Sequence, residues 1–161
     1  MDSQVGRMMH DEHVATLAVM NRLEAACRAR RAPDASDAAF SSLISDLRAK
    51  LQEDLQRHFA FEESLLFPLL DDAGEGDIAA VLGEEHDAIR DVATSLLALL
   101  DAAAGADWDD ASWADFRRQA GELAERQIAH VQKEELGLLP VLPDLLEPDQ
   151  DADMAMSYLS A

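Results

Sequence analysis

HFAFEESLLFPLL, residues 58–70, and HVQKEELGLLPVL, residues 130–142, carry a histidine, a pair of glutamates and a proline at the same offsets. In each stretch the histidine and the first glutamate are four residues apart, as His58 with Glu62 and His130 with Glu134. Four residues on an α-helix amount to one turn plus about 40° of rotation, so both side chains share a face. That face reads as the inward one. Ile44, Leu47, Leu51, Leu55, His58, Glu62, Leu65 and Leu69 follow at steps of three or four, the stripe of one helix expected from about Asp37 to Phe67 with Ser36 as its N-cap. Polar, ionisable residues therefore sit where leucines are expected.

The remaining chain repeats the helical pattern. Ile78, Leu82, His86, Ile89, Ala93, Leu96 and Leu100 form a second stripe, opened by Asp77 as N-cap and closed near Gly105. Trp113, Phe116, Ala120, Leu123, Gln127, His130 and Glu134 form a third, and His13, Leu17, Met20, Leu23 and Cys27 give the first helix its face. Ala, Leu, Glu, Asp and Arg dominate, which favours helix over strand. The breaks are short: RAPDAS at 31–36, DDAGEGD at 71–77 and GADWDD at 105–110. Short connections between long helices predict antiparallel neighbours, hence an all-α, up-down-up-down antiparallel four-helix bundle over residues 1–142. Residues 143–161 read as an acidic tail that either frays or docks as a short helix.

Composition narrows the function. With 161 residues and 48% hydrophobic character, the chain suits one domain. A net charge of −20 excludes nucleic-acid and anionic-membrane partners as expectations and favours cations. The single cysteine, Cys27, allows no internal disulfide, the N-terminal residues lack the apolar core of a signal peptide, and no apolar stretch is long enough to span a bilayer. A cytoplasmic location is expected.

The repeat extends beyond the opening motif. DEHVATLAVMNRLE, residues 11–24, resembles EEHDAIRDVATSLL, residues 84–97, and His13 precedes His58 by 45 residues while His86 precedes His130 by 44. One helical hairpin is written twice. At about 1.5 Å of rise per residue, each histidine pair lies at one height, roughly 30 Å from its own turn. Antiparallel threading brings both pairs to the same end of the bundle. His13, His58, His86 and His130 then meet Glu62 and Glu134 in a buried cluster, which costs several kcal/mol or so unless cations pair with it. Mixed imidazole and carboxylate donors suit iron, with manganese and zinc as alternatives, and the lack of thiolates argues against a structural zinc site.

At these residues the chain resembles the hemerythrin-like, or HHE cation-binding, family over roughly residues 8–142, through HFAFEESLLFP, EEHDAIR and HVQKEELGLLP. The resemblance implies two non-haem iron ions, one held by His13 and His58 and the other by His86 and His130, with Glu62 and Glu134 bridging. It also implies a small ligand: dioxygen, nitric oxide or peroxide. Ferritin-like proteins use Glu-x-x-His, and no histidine here has a glutamate three residues before it. One departure stands out. Oxygen-carrying members have a fifth histidine one turn from that of the third helix, where this chain has Leu82 and Arg90. The departure favours oxygen or redox sensing, iron handling, or peroxide or nitric-oxide chemistry over reversible oxygen carriage. Alternatives are a di-iron enzyme degrading peroxide or nitric oxide, and an interaction protein switched by metal occupancy. His10, the remaining histidine, lies on the first helix near His13 and is a further candidate ligand.

Other residues carry lesser expectations. Gln127 is either a hydrogen-bond partner that orients a ligand or an exposed residue, and Glu63 and Glu135 face solvent or support the ligands from outside. Cys27, Trp108 and Trp113 read as packing. Pro68 and Pro140 should kink or end their helices just beyond the site.

Overall fold

The computed structural model describes residues 2–104 and 107–161, and every regular element among them is helical. Helix α1 spans Gln4–Cys27. Helix α2 runs through residues 38–72, helix α3 spans Gly76–Ala102 and helix α4 spans Asp110–Gly137. A 3₁₀ turn at Leu139–Val141 and a single turn at Leu142–Leu145 lead into helix α5, Pro148–Leu159.

Capping residues set the starts. Ser3 caps α1 by accepting from the Gly6 N–H, and Asp109 and Ser112 close a reciprocal capping box at the start of α4. Two expected caps are displaced. Asp37, one residue beyond Ser36, caps α2 by accepting the Phe40 N–H at 2.9 Å. Asp77 lies inside α3, which already begins at Gly76. The cause is the preceding turn: Gly74 adopts φ 84°, and the Glu75 and Gly74 N–H groups close onto the carbonyls of Leu70 and Asp71. That pair of bonds satisfies the end of α2 and reverses the chain before Asp77 is reached. The expected closure at Gly105 falls outside the described residues.

Helix α2 departs most from expectation. It is α-helical over Ala38–Glu53, π-helical over Asp54–His58, α-helical over Phe59–Phe61, π-helical again over Glu62–Leu66, and α-helical over Phe67–Asp72. A run of buried residues four apart drifts by about 40° per step on a regular α-helix. A π turn takes up one more residue and cancels the drift. Leu47, Leu51, His58, Glu62, Leu66 and Leu70 therefore stay inward, whereas Leu65 is exposed and Leu69, Ile44 and Leu55 are only half-buried. Pro68 does not end the helix at Phe67, because the wide turn before it spreads the backbone that the ring would otherwise meet. Near Pro140 the helix does stop, at Gly137.

Contacts between helices run in opposite order along the chain. Arg22 pairs with Asp46, Thr16 with Asp54 and Glu12 with His58, so α1 and α2 oppose one another. The Trp113 indole donates to the Ala29 carbonyl and Arg117 to that of Cys27, while His13 meets Glu135, so α4 opposes α1. Arg48 reaches Asp101 and Arg90 reaches Glu63 between α2 and α3. Two apolar clusters fill the interior. One gathers Met20, Leu23, Leu47, Leu96, Trp113 and Phe116, with Cys27 and Trp108 packed against it, and the other gathers Val5, Phe61, Leu70, Leu138, Leu142 and Tyr158. The layer of histidines lies between them.

The tail docks. Asp151 of α5 accepts from the Ser3 hydroxyl at 2.6 Å and from the backbone N–H groups of Gln4 at 2.6 Å and Val5 at 3.0 Å. It thereby supplies an acceptor to the free N–H groups that open α1. Replacing Asp151 with Ala should cost about 1–2 kcal/mol, the range of a lost helix cap, and loosen α5 first. Thermal melts with hydrogen exchange over residues 148–159 check this, and unchanged exchange would contradict it.

Candidate metal centre

Four helices each contribute one histidine to a single layer: His13 from α1, His58 from the first π turn of α2, His86 from α3 and His130 from α4. All are buried, at no more than 5% exposure, and Glu62 and Glu134 are fully buried among them. The Nε2 atoms of His86 and His130 approach to 3.1 Å, and the His13 and His58 rings lie 5.3 Å apart. Each carboxylate faces both pairs with different oxygens. Glu62 presents Oε1 to His58 Nε2 at 2.5 Å and Oε2 to His86 Nε2 at 3.5 Å. Glu134 presents Oε2 to His13 Nε2 at 2.8 Å and Oε1 to His130 Nε2 at 2.7 Å. Donor atoms of Glu62, His86, His130 and Glu134 converge within 4.8 Å, as do those of His13, His58 and Glu134.

Protein groups alone leave this layer unsatisfied. Both oxygens of Glu62 and Oε1 of Glu134 make no hydrogen bond, although imidazole nitrogens lie within 2.5 to 2.7 Å of two of them. Buried polar atoms without partners are rare because each costs about 1–3 kcal/mol. Lone pairs pointing at a common centre, from imidazole nitrogen and carboxylate oxygen, are the donor set that a transition-metal cation accepts. The residues fit a metal.

The sequence pattern of the hemerythrin HHE cation-binding domain matches residues 5–142. This chain belongs to that family. No individual curated protein matches it at a significant level. The hemerythrin domain thus covers helices α1 to α4 and the first turn beyond them, whereas α5 lies outside the matched residues.

Around the hemerythrin layer runs a second set of carboxylates, in chain order. Glu12 of α1 meets His58 Nδ1 of α2 at 2.6 Å, and Glu63 of α2 approaches His86 Nδ1 of α3 at 3.6 Å. Glu85 of α3 meets His130 Nδ1 of α4 at 3.0 Å, and Glu135 of α4 meets His13 Nδ1 of α1 at 2.6 Å. Three contacts are hydrogen bonds; the Glu63 contact is longer. An Nδ1–H donated to a carboxylate fixes the tautomer and leaves the Nε2 lone pair facing the centre. Further groups hold these carboxylates. Arg90 grips Glu63 at 2.6 and 2.7 Å, Lys133 pairs with Glu85, and the Tyr158 hydroxyl donates to Glu12 at 2.5 Å.

His10 stays outside the layer, exposed and paired with Glu135 at 3.0 Å. Leu82 is buried in the apolar cluster and Arg90 serves Glu63, so neither position offers a ligand. Gln127 is buried beside the layer and its Nε2 meets no acceptor among the described residues. Burial pushes the Cys27 thiol up, in keeping with a packing role. The sequence pattern did not single out Glu12 and Glu85, although Glu12-His13 and Glu85-His86 are matching dipeptides of the two repeats.

Charge is unevenly shared. Burial raises the Glu62 carboxyl, and the neighbouring Glu134 charge pushes it further up. Burial pushes Glu134 the same way but is outweighed by the adjacent Glu62 carboxyl and the His13, His130 and His58 imidazoles, which hold it well below the usual range. Burial would lower each histidine, yet the carboxylates win, and His86 is raised to about 9. Without a metal the layer therefore holds imidazolium at neutral pH, and a cation must displace those protons. Adding metal to chelator-treated protein near pH 7.5 in weak buffer should acidify the solution, and affinity should rise from pH 6 to pH 9. Indicator-dye titration reads both, and pH-independent affinity would contradict the assignment.

Proposed function

We propose that this hemerythrin domain holds two non-haem metal ions, iron in preference to manganese or zinc. His13 and His58 hold one, His86 and His130 the other, and Glu62 and Glu134 bridge them. One observation carries the reading: each buried glutamate turns one oxygen to one histidine pair and its other oxygen to the second pair. The opposed helix contacts support an up-down-up-down antiparallel four-helix bundle over residues 1–142 as the frame, with residues 143–161 as an appended helical segment. No described helix is long and apolar enough to cross a membrane, and we assign the protein to the cytoplasm.

Iron bound here would supply redox chemistry and coordination positions open to dioxygen, nitric oxide or peroxide. The chain's part is to exclude water and fix the donors. Phe59 stacks on His86 at 3.8 Å, and Leu66, Leu82 and Val131 are buried nearby in sequence to the donors. With Leu82 and Arg90 where a fifth histidine would stand, ligand sensing or iron handling suits the site better than reversible oxygen carriage.

A second reading has its own observation. Tyr158 of α5 donates to Glu12, which contacts His58, while Arg57 donates to the Tyr158 carbonyl at 2.7 Å and lies over its ring at 4.7 Å. A tail helix tied to a ligand histidine couples metal occupancy to its own docking, as a metal-switched interaction protein requires.

Elemental analysis of protein purified without oxygen, followed by spectra before and after admitting air, tests the main reading. Two irons per chain and a new charge-transfer band are expected. Glu62→Ala should lower metal content and broaden or remove the band; unchanged iron stoichiometry would remove Glu62 from the bridge. For the second reading, proteolysis with and without chelator should expose residues 143–161 only when metal is removed. An identical cleavage pattern would end the switching idea.

A further inference from the structure

The outer carboxylates that hold the four histidine rings are not alike, and the difference divides the layer in two. On the side of His13 and His58 both contacts are short: Glu12 lies 2.6 Å from His58 Nδ1, and Glu135 lies 2.6 Å from His13 Nδ1. On the side of His86 and His130 they loosen. Glu85 stands 3.0 Å from His130 Nδ1, and Glu63 stands 3.6 Å from His86 Nδ1, too far for a hydrogen bond.

Counter-charges follow the same division. Arg90 grips both oxygens of Glu63, at 2.6 and 2.7 Å, and Lys133 pairs with Glu85, so a permanent cation neutralises each carboxylate of the second side. Glu12 instead accepts from the neutral Tyr158 hydroxyl, and Glu135 meets His10, an exposed imidazole that is charged only when protonated. The cations nearest them in the chain are engaged elsewhere: Lys50 pairs with Asp54 and Arg57 donates to the Tyr158 carbonyl. Tyr158 lies beyond the residues matched to the family, and Arg90 occupies a position considered above for a fifth histidine. The imbalance is therefore a feature of this chain.

A carboxylate that draws strongly on the Nδ1 proton makes the Nε2 lone pair more basic. Basic donors and unneutralised negative charge favour the more highly charged ion, because the attraction grows in proportion to its charge. A distant carboxylate already paired with Arg or Lys supplies neither. We infer that the layer sorts its ions by charge, with His13 and His58 taking a trivalent cation and His86 and His130 a divalent one. The inference rests on the two-metal reading above and adds which position takes which charge. With iron, the ferric ion sits at His13 and His58 and the ferrous ion at His86 and His130.

Gallium(III), supplied as its citrate, and zinc(II) are redox-inert probes of the two charges. Chelator-treated protein is loaded with both together and crystallised, and anomalous diffraction at each absorption edge reads the occupant of each position. Gallium should exceed zinc about tenfold at His13 and His58, and zinc should exceed gallium about tenfold at His86 and His130, the scale on which outer hydrogen-bond partners alter metal affinity. Arg90→Gln combined with Lys133→Gln frees Glu63 and Glu85, and should bring gallium to His86 and His130 at unchanged total metal content. Loosened helices would lower the metal content instead. The same ion at both positions of the parent, random mixing or the reverse order would overturn the inference and leave the two-metal reading intact. A double variant that takes no more gallium than the parent would do the same. A parent that binds fewer than two ions per chain would overturn both.

Discussion

Six ionisable side chains are buried together, and their lone pairs face one another. That convergence is the constraint on which the rest of the molecule depends. Isolated, such a layer would cost several kcal/mol or so for each unpaired charge. The hemerythrin domain meets the cost in two ways. Outside, carboxylates on the Nδ1 atoms hold the rings; inside, the Nε2 atoms and the oxygens of Glu62 and Glu134 converge as a donor set that suits a cation.

The outer carboxylates also tie the helices together. Glu12, Glu63, Glu85 and Glu135 each sit next in sequence to a residue of the inner layer, and each reaches the histidine of a neighbouring helix. Because the contacts pass from α1 to α2, α3, α4 and back to α1, a shift of one helix disturbs the histidine of another. The π turns of α2 belong to the same constraint. Asp54–His58 and Glu62–Leu66 are wound wide where His58 and Glu62 must both face inward, and wide turns often occur where a helix serves a site in place of regular packing.

Helix α5 enlarges what the hemerythrin domain does alone. It caps α1 through Asp151 and reaches the layer through Tyr158 and Glu12. The family match ends at residue 142, so this attachment belongs to the chain's own continuation. Stability at one end of the bundle and the orientation of His58 thus share a support.

The all-helical class and the six inner residues were legible in the sequence, because a doubled His-x-x-x-Glu at helical spacing leaves little freedom in where its side chains point. Spacing along one helix is a local property, fixed by the backbone's own period. Between helices that logic stops. The inward shift from Leu65 to Leu66 follows from π turns that regular periodicity cannot express, and the turn at Gly74, not Asp77, decides where α3 starts. Glu12 and Glu85 stood beside histidines in plain view, yet their partners lie on other helices, 46 and 45 residues away. His10 looked available by spacing and is held outside by Glu135. The sequence by itself determined that His13, His58, Glu62, His86, His130 and Glu134 face the interior and that they are residues of the kind that hold metals. Only the tertiary structure decided which carboxylate holds which histidine and that the tail reaches the site, because those distances are set by how separate helices pack and not by the step along any one of them.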